Sequence, residues 1–403
     1  MYQKISIVVL VFFIATIFHA PSDVSTPQGM FSLQWGKVDI GYPRALSGDS
    51  PHYLVAVNSL IEDGDFNLKN NYDQALSGDW DAGLRFRSRK IDRHVDVDSQ
   101  GRELGTHSPF FALILAFFAW PLAGTPWVEP LCVWITSAAG LAVVLFLWQH
   151  LKEEFDKQLN PLLIASMATP LLCYSRDIWT EPWIAAIWLA LLSTQKISFR
   201  ILLGFIGTLI KYPFFVVPFA LGIVHCIRGK KKSGLALIAS STLAITTSIV
   251  MVQWIFQDVT EHQSLFHSGI HAGFQFSLEG LFGLLFSPEN GLLIFFPILI
   301  WGFRRIWKHA EIWLPLVTFF AAHAFYVDWM GGTGFGSRYM VPIASLLMLS
   351  VDWSAMRNRW FKMAALYSLI WGLAGGLFPA LVYDRTPWEI LEHSWLNLGW
   401  GAL

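Results

Sequence analysis

Charge is what this chain has least of. Its 28 basic and 29 acidic residues make up 14% of 403 positions, where a soluble domain carries roughly 25%. Set beside 54% apolar residues and a mean hydropathy of +0.47, that shortage excludes the two or three soluble domains the length would suggest. It points instead to an integral membrane protein. Neither sign is in excess, and a net charge of -1 gives no basic surface for a nucleic-acid backbone, so a nucleic-acid partner is excluded. Cysteine is scarce too: Cys132, Cys173 and Cys226 all stand in apolar segments and read as small hydrophobes, not as a disulfide or metal framework. The sequence shows no internal repeat at periods of about 20 to 50 residues and no low-complexity tract. The charge that exists is clustered, with 19 of the 57 charged residues between Arg44 and Glu103.

A hydrocarbon core about 30 Å thick needs roughly 20 apolar residues per helix. Clear candidates are 127–149, 234–256, 309–327 and 361–381; shorter ones are 5–19, 161–175, 181–194, 199–210, 213–227, 288–303 and 339–353. The expected fold is an all-α polytopic membrane protein of about eleven transmembrane helices, one domain over 1–403, with a long external loop over 20–126. Lys and Arg in short loops stay on the cytoplasmic side. The basic loops at Arg228–Lys232, Arg304–Lys308 and Arg357–Lys362, with weaker ones at Lys152–Lys157 and Lys196–Arg200, lie inside together only on two conditions. The N-terminus must be cytoplasmic, and 109–123, about fifteen residues with two prolines, must be a juxtamembrane or re-entrant helix. The first segment reads as an uncleaved anchor because Phe18-His19-Ala20 is a poor cleavage site.

The spans themselves hold few ionisable residues, whereas a transporter would place charges at midplane. Polar chemistry gathers at the outer ends instead. There stand Ser47-Gly48-Asp49-Ser50-Pro51-His52-Tyr53, Arg176-Asp177 with Glu181, Lys211-Tyr212-Pro213, His262, His267 and His271, Ser287-Pro288-Glu289-Asn290-Gly291, and the Gly-rich run before Ser337-Arg338-Tyr339. A carboxylate at that depth can take a proton from a hydroxyl, and Lys and Arg can neutralise a phosphate.

SGDSPHYLVAVNSLIEDGDFNLKNNY after the first span, the Arg-Asp turn, LFSPENGLLIFFP and GGTGFGSRYMVP follow one another in an order that resembles the GT-C membrane glycosyltransferases. That family uses polyprenyl-phosphate sugars and includes protein O-mannosyltransferases and lipid A aminoarabinose transferases. The resemblance implies transfer of a sugar to an acceptor hydroxyl on a lipid, glycan or protein at the external face of a plasma membrane, the bacterial inner membrane. It makes Asp49 the general base of an inverting displacement. The family motif often pairs two acids, but Ser50 follows here, so Asp49 stands alone and no metal ligand is assigned; a divalent cation is left open. Asp177 joins Asp49 as a catalytic candidate, and His52, Tyr53, Glu181, Lys211, Tyr212, Glu289, Arg338 and Tyr339 are substrate-binding candidates.

Each has a plainer reading. Asp49 before Ser-Pro could be a helix N-cap. Asp63-Gly64-Asp65, Asp79-Trp80-Asp81 and Asp96-Val97-Asp98 could hold a cation, yet the last reads better as a hairpin turn at Ser99-Gln100-Gly101. His267 and His271 have metal-ligand spacing without a third partner. Lys211 could merely snorkel. The twenty tryptophans are mostly an interfacial belt. The alternatives to an enzyme are a lipid-glycan flippase and a non-catalytic scaffold.

Overall fold

The computed structural model describes residues 20–21, 33–35, 38–40, 48–77, 93–155, 160–255, 277–307, 309–326, 328–331, 335–377 and 386–389. Three short strands, β1 (Ala20–Pro21), β2 (Leu33–Trp35) and β3 (Val38–Ile40), form a sheet in the order β1-β3-β2. Helices α1 (Ser50–Asn58) and α2 (Lys69–Ser77) follow, then a hairpin of β4 (Val95–Val97) and β5 (Glu103–Gly105), and then α3 (Pro109–Ala119). Asp98 builds the hairpin turn. Its carboxylate accepts the Gln100 and Arg102 N–H groups, and Gly101 takes φ +76°. With its oxygens spent on the turn, Asp98 offers no calcium loop. Asp63 accepts Asn70 and Asn71 and Asp65 accepts Ser59 and the Asn67 N–H, so that acidic pair also serves its own loop. Asp79 to Asp81, His262, His267 and His271 lie outside the described residues.

The bundle proper starts with α4 (Val128–Phe155), α5 (Asn160–Met167) and α6 (Leu171–Tyr174). Next come α7 (Thr180–Ser193), α8 (Ile197–Ile210), α9 (Val216–Ile227) and α10 (Lys231–Ile255). The chain continues through α11 (Leu278–Phe286), α12 (Leu292–Phe295), α13 (Ile300–Ile306) and α14 (Ala310–Ala324) to α15 (Val341–Leu349) and α16 (Arg359–Leu377). At 1.5 Å per residue, α4 and α10 reach roughly 40 Å, enough to cross a bilayer.

The described residues do not confirm eleven spans. Among the described residues two pass the length and hydropathy needed to span alone, Val128–Leu151 and Lys231–Ile255, and six apolar helices have 10–17 residues. Proline is one reason, because it lacks an N–H and clashes with the carbonyl four residues back. Pro170 separates α5 from α6 within 161–175, and Pro297 separates α12 from α13 within 288–303. Segment 5–19 lies outside the described residues. Where α9 and α10 cross, Gly222 and Gly234 face each other so closely that a Cβ on either would stand 2.7 or 2.5 Å from the other's carbonyl oxygen.

Contacts between helix ends sort the bundle into two poles. At one, Arg228 pairs with Glu311, Arg305 with Asp352, Arg200 reaches His225, and Ser193 meets His150. At the other lie the start of α7, the end of α8 and the residues before α15. Ser108, at the head of α3, donates to Leu209 O near the end of α8, and Ser137 of α4 donates to Ser175 O before α7. Since α4 then runs on to His150 at the basic pole, α3 begins and the chain after it returns on the same side. Leu104 of the hairpin packs on Val252 and Ile255, so the hairpin caps that second pole.

Candidate functional site

The site is built where α1 begins. Gly48 takes φ +59°, and a Cβ there would stand 2.6 Å from Trp179 Cη2, so only glycine lets the chain pass the indole. Ser50 Oγ donates to Ile178 O at 3.1 Å and pins the helix start to the turn before α7. Asp49 occupies the N-cap position, yet its side chain caps nothing. Instead, Asp49 Oδ2 accepts from Arg338 Nη1 at 2.8 Å, across 289 positions of sequence.

Arg338 sits just after Ser337, which is held at φ 57°. Its guanidinium lies 4.7 Å from the Trp179 ring and 5.0 Å from the Tyr339 ring, with Nη2 donating to Tyr339 Oη at 3.4 Å. Lys211 Nζ approaches the same tyrosine ring to 4.6 Å and donates to Glu181 Oε1 and, at 3.4 Å, to Thr180 Oγ1. Asp49, Arg338, Tyr339, Lys211 and Glu181 thus form one continuous chain of charges and rings, two acids against two bases, at one pole of the bundle. Burial by itself would raise the Asp49 pKa, but the surrounding positive charge, Arg338 foremost, outweighs it and holds the carboxyl well below its usual range.

A histidine cluster adjoins it. His52 Nδ1 meets Tyr72 Oη at 2.5 Å, and the His52 ring stacks on His94 with centroids 3.7 Å apart. His94 Nδ1 lies 3.0 Å from His107 Nε2, and Tyr53 packs on His107 at 5.0 Å. Burial, foremost, pushes His107 down to about 4 and moves the Tyr53 hydroxyl up. A narrow pocket lined by His52, Tyr53, His94, His107, Phe66 and Ile255 opens beneath the hairpin.

The other predicted residues fall beside this network. Asp177 is fully buried, and its Oδ1 accepts the Ile178 N–H in the turn that presents Trp179. Tyr212 packs under the hairpin with Phe66 and Leu104. Glu289 is exposed in the turn after α11. The sequence reading missed His94 and His107. The signal was there, because a hairpin turning at Ser99–Gly101 brings both ends of 94–107 together; Thr106 N donates to His94 O.

No protein-family model matches the chain, and no curated protein does either. Among solved structures, it is similar to ArnT from Cupriavidus metallidurans bound to undecaprenyl phosphate, with a TM-score of 0.48 and 10% identity. It is also similar to the same protein in the apo state, with a TM-score of 0.46 and 11% identity. Each comparison covers 91% of this chain and 59% of the other, so the chain spans less than two thirds of their length.

Proposed function

We propose that the chain is a membrane glycosyltransferase of the GT-C type, which moves a sugar from a polyprenyl-phosphate donor to an acceptor hydroxyl at the external face. The observation that carries this reading is the N-cap aspartate that declines to cap. A carboxylate whose job was to start α1 would accept from the helix amides, whereas Asp49 is drawn to Arg338, beside Lys211 on the shared Tyr339 ring. One acid and two cations at a single helix-end level suit a lipid phosphate whose chain lies among the helices. The sequence motifs around Asp49 and Arg338 resemble the same family.

In this reading the donor phosphate takes its place on Arg338 and Lys211, which hold the leaving group and stabilise its developing charge. Competition for the guanidinium loosens its grip on Asp49. That matters because a carboxylate clamped by Arg338 is a poor base, and only the phosphate-occupied site restores its basicity. Asp49 then accepts the acceptor hydroxyl's proton as the oxygen attacks the anomeric carbon and the polyprenyl phosphate departs. Glu181 keeps Lys211 in place, Asp177 holds the turn that presents Trp179, and His52 and Tyr53 line the acceptor side. Localisation in a plasma membrane, with an external site over the loop 20–126 and a cytoplasmic N-terminus, belongs to the same proposal.

The test is transfer from a panel of polyprenyl-phosphate sugars by the purified chain in lipid. Asp49→Asn should still bind undecaprenyl phosphate but lose about 100- to 10,000-fold in transfer, the usual contribution of a general base. Unchanged turnover in Asp49→Asn would remove the base. Donor lipid carried across a vesicle membrane without any transfer would favour a flippase.

A further inference from the structure

The histidine cluster offers more than a lining. One ligand atom each from Asp49, His94 and His107 lies within 4.8 Å of the others, and all three residues are half-buried. These three come from separate pieces of chain: the head of α1 and the two ends of the hairpin. We propose that they form a binding site for a divalent transition metal of the zinc class. Two imidazole nitrogens and one carboxylate oxygen are the donor set that zinc and its neighbours prefer over magnesium or calcium, which want more oxygen.

The spacing fits. Ligand atoms roughly 2.0 to 2.1 Å from a tetrahedral zinc stand about 3.3 Å apart, and His94 Nδ1 and His107 Nε2 are already at 3.0 Å. These two nitrogens are hydrogen-bonded to each other, a bond that a metal would replace by ligating both, and the carboxylate needs a movement of about 1.5 Å or less to join them. Asp49 Oδ2 belongs to Arg338, so Oδ1 is the oxygen left for a metal.

The surroundings hold the ligands in place, as metal sites require. His52 stacks flat on His94, with 17° between the rings, and is itself fixed by Tyr72. Next to His94, Arg93 donates to both Glu103 oxygens at 2.8 and 2.7 Å and also bonds Asp73, which ties the hairpin's first strand to its second and to α2. Three protein ligands leave the fourth tetrahedral position open, the pattern of catalytic rather than structural zinc. With Oδ1 on the metal, Oδ2 is the oxygen that would take the acceptor's proton in the proposed transfer, once donor phosphate has drawn Arg338 away from it. The site does not depend on the transferase reading, because it is defined by binding alone.

The experiment uses the full chain in detergent, stripped with chelator and titrated with Zn2+ or Co2+ in the absence of donor and acceptor. One metal per chain is expected by elemental analysis, and Co2+ should give the intense d–d absorption of a four-coordinate centre. Metal K-edge absorption spectroscopy of the wild-type chain should show two imidazoles in the first shell, a result that needs no variant to fold. His94→Ala and His107→Ala should each weaken binding more than 100-fold, beyond the roughly 10- to 100-fold typical of outer-shell changes. His309→Ala, exposed at the opposite pole, should change nothing. No stoichiometric metal, a first shell without two imidazoles, or full retention in the His94→Ala/His107→Ala double variant would overturn the site. Intact metal binding in a wild-type chain that transfers no sugar would instead count against the transferase reading alone.

Discussion

The pair that joins Asp49 to Arg338 can be weighed from its geometry alone. Its partners are 20% and 9% exposed at the side chain, so solvent screens it only in part. Truncating one member of a buried pair usually costs about 3 to 5 kcal/mol, because the other is left uncompensated. The residual exposure of Asp49 sets the expected loss for Arg338→Ala near the lower end, about 3 kcal/mol. Stacking on Trp179 and Tyr339 adds about 0.5 to 1 kcal/mol for each ring. Asp49→Ala should cost less, since Arg338 keeps both rings and Tyr339 Oη. Together the two changes should destabilise by clearly less than their sum, with a coupling of about 2 kcal/mol. Arg338→Lys retains the charge but cannot reach Asp49 and Tyr339 at once, so it should fall between wild type and alanine by about 1 kcal/mol. The assay is unfolding free energy of the four members of the cycle in one lipid or detergent, with chelator present. A coupling below about 0.5 kcal/mol, the scatter of independent sites, would show that the two side chains do not meet.

How much of this was legible depends on the range over which each signal acts. Local signals were readable: the Ser99–Gly101 turn, the long apolar α4 and α10, and a helix head at Asp49-Ser50-Pro51 all follow from neighbouring residues. Proline breaks were visible as letters, yet counting apolar residues through Pro170 and Pro297 merged short helices into single spans. The pairing of Asp49 with Arg338 was not readable from spacing, because 289 residues separate them and only the bundle brings them together. Lys211 was noticed as a charge in an apolar run, but nothing local revealed that Glu181, thirty positions earlier, neutralises it. His94 and His107 were lost for a different reason. The turn at Ser99–Gly101 is a local signal, whereas the meeting of His94 and His107 needs the strand register that pairs Val95 with Gly105.

Four further outcomes follow from the same geometry. Gly48→Ala forces a left-handed residue into Trp179, so it should lower thermal stability and weaken binding of undecaprenyl phosphate; wild-type values for both would mean the indole position is irrelevant. Glu181→Gln removes the charge that balances Lys211 and should lower stability more than Glu289→Gln, whose carboxylate is exposed; equal melting shifts would contradict the pairing. In a chain with Cys132, Cys173 and Cys226 replaced, Gln100→Cys should react with an impermeant maleimide from outside and Lys231→Cys only after permeabilisation, both positions being exposed; labelling of Lys231→Cys in intact cells would put the basic pole outside. The last concerns pH. Arg338 keeps the Asp49 pKa below its ordinary value of 3.8 in the folded chain, so the pair's contribution to stability is complete above that value. It is lost only as pH falls through the depressed folded value, which means that lowering pH from 7 to 5 should leave the Asp49–Arg338 coupling energy unchanged. Donor phosphate on Arg338 would offset the largest of the positive charges that depress the carboxyl, ahead of His107, His94 and Lys211, and shift it towards ordinary acidity. The transfer rate with saturating donor should therefore begin to fall at a higher pH than the coupling energy measured without donor. Coincident acid limbs for the two quantities would mean that the phosphate does not draw Arg338 away from Asp49, and the base would then lack its means of activation.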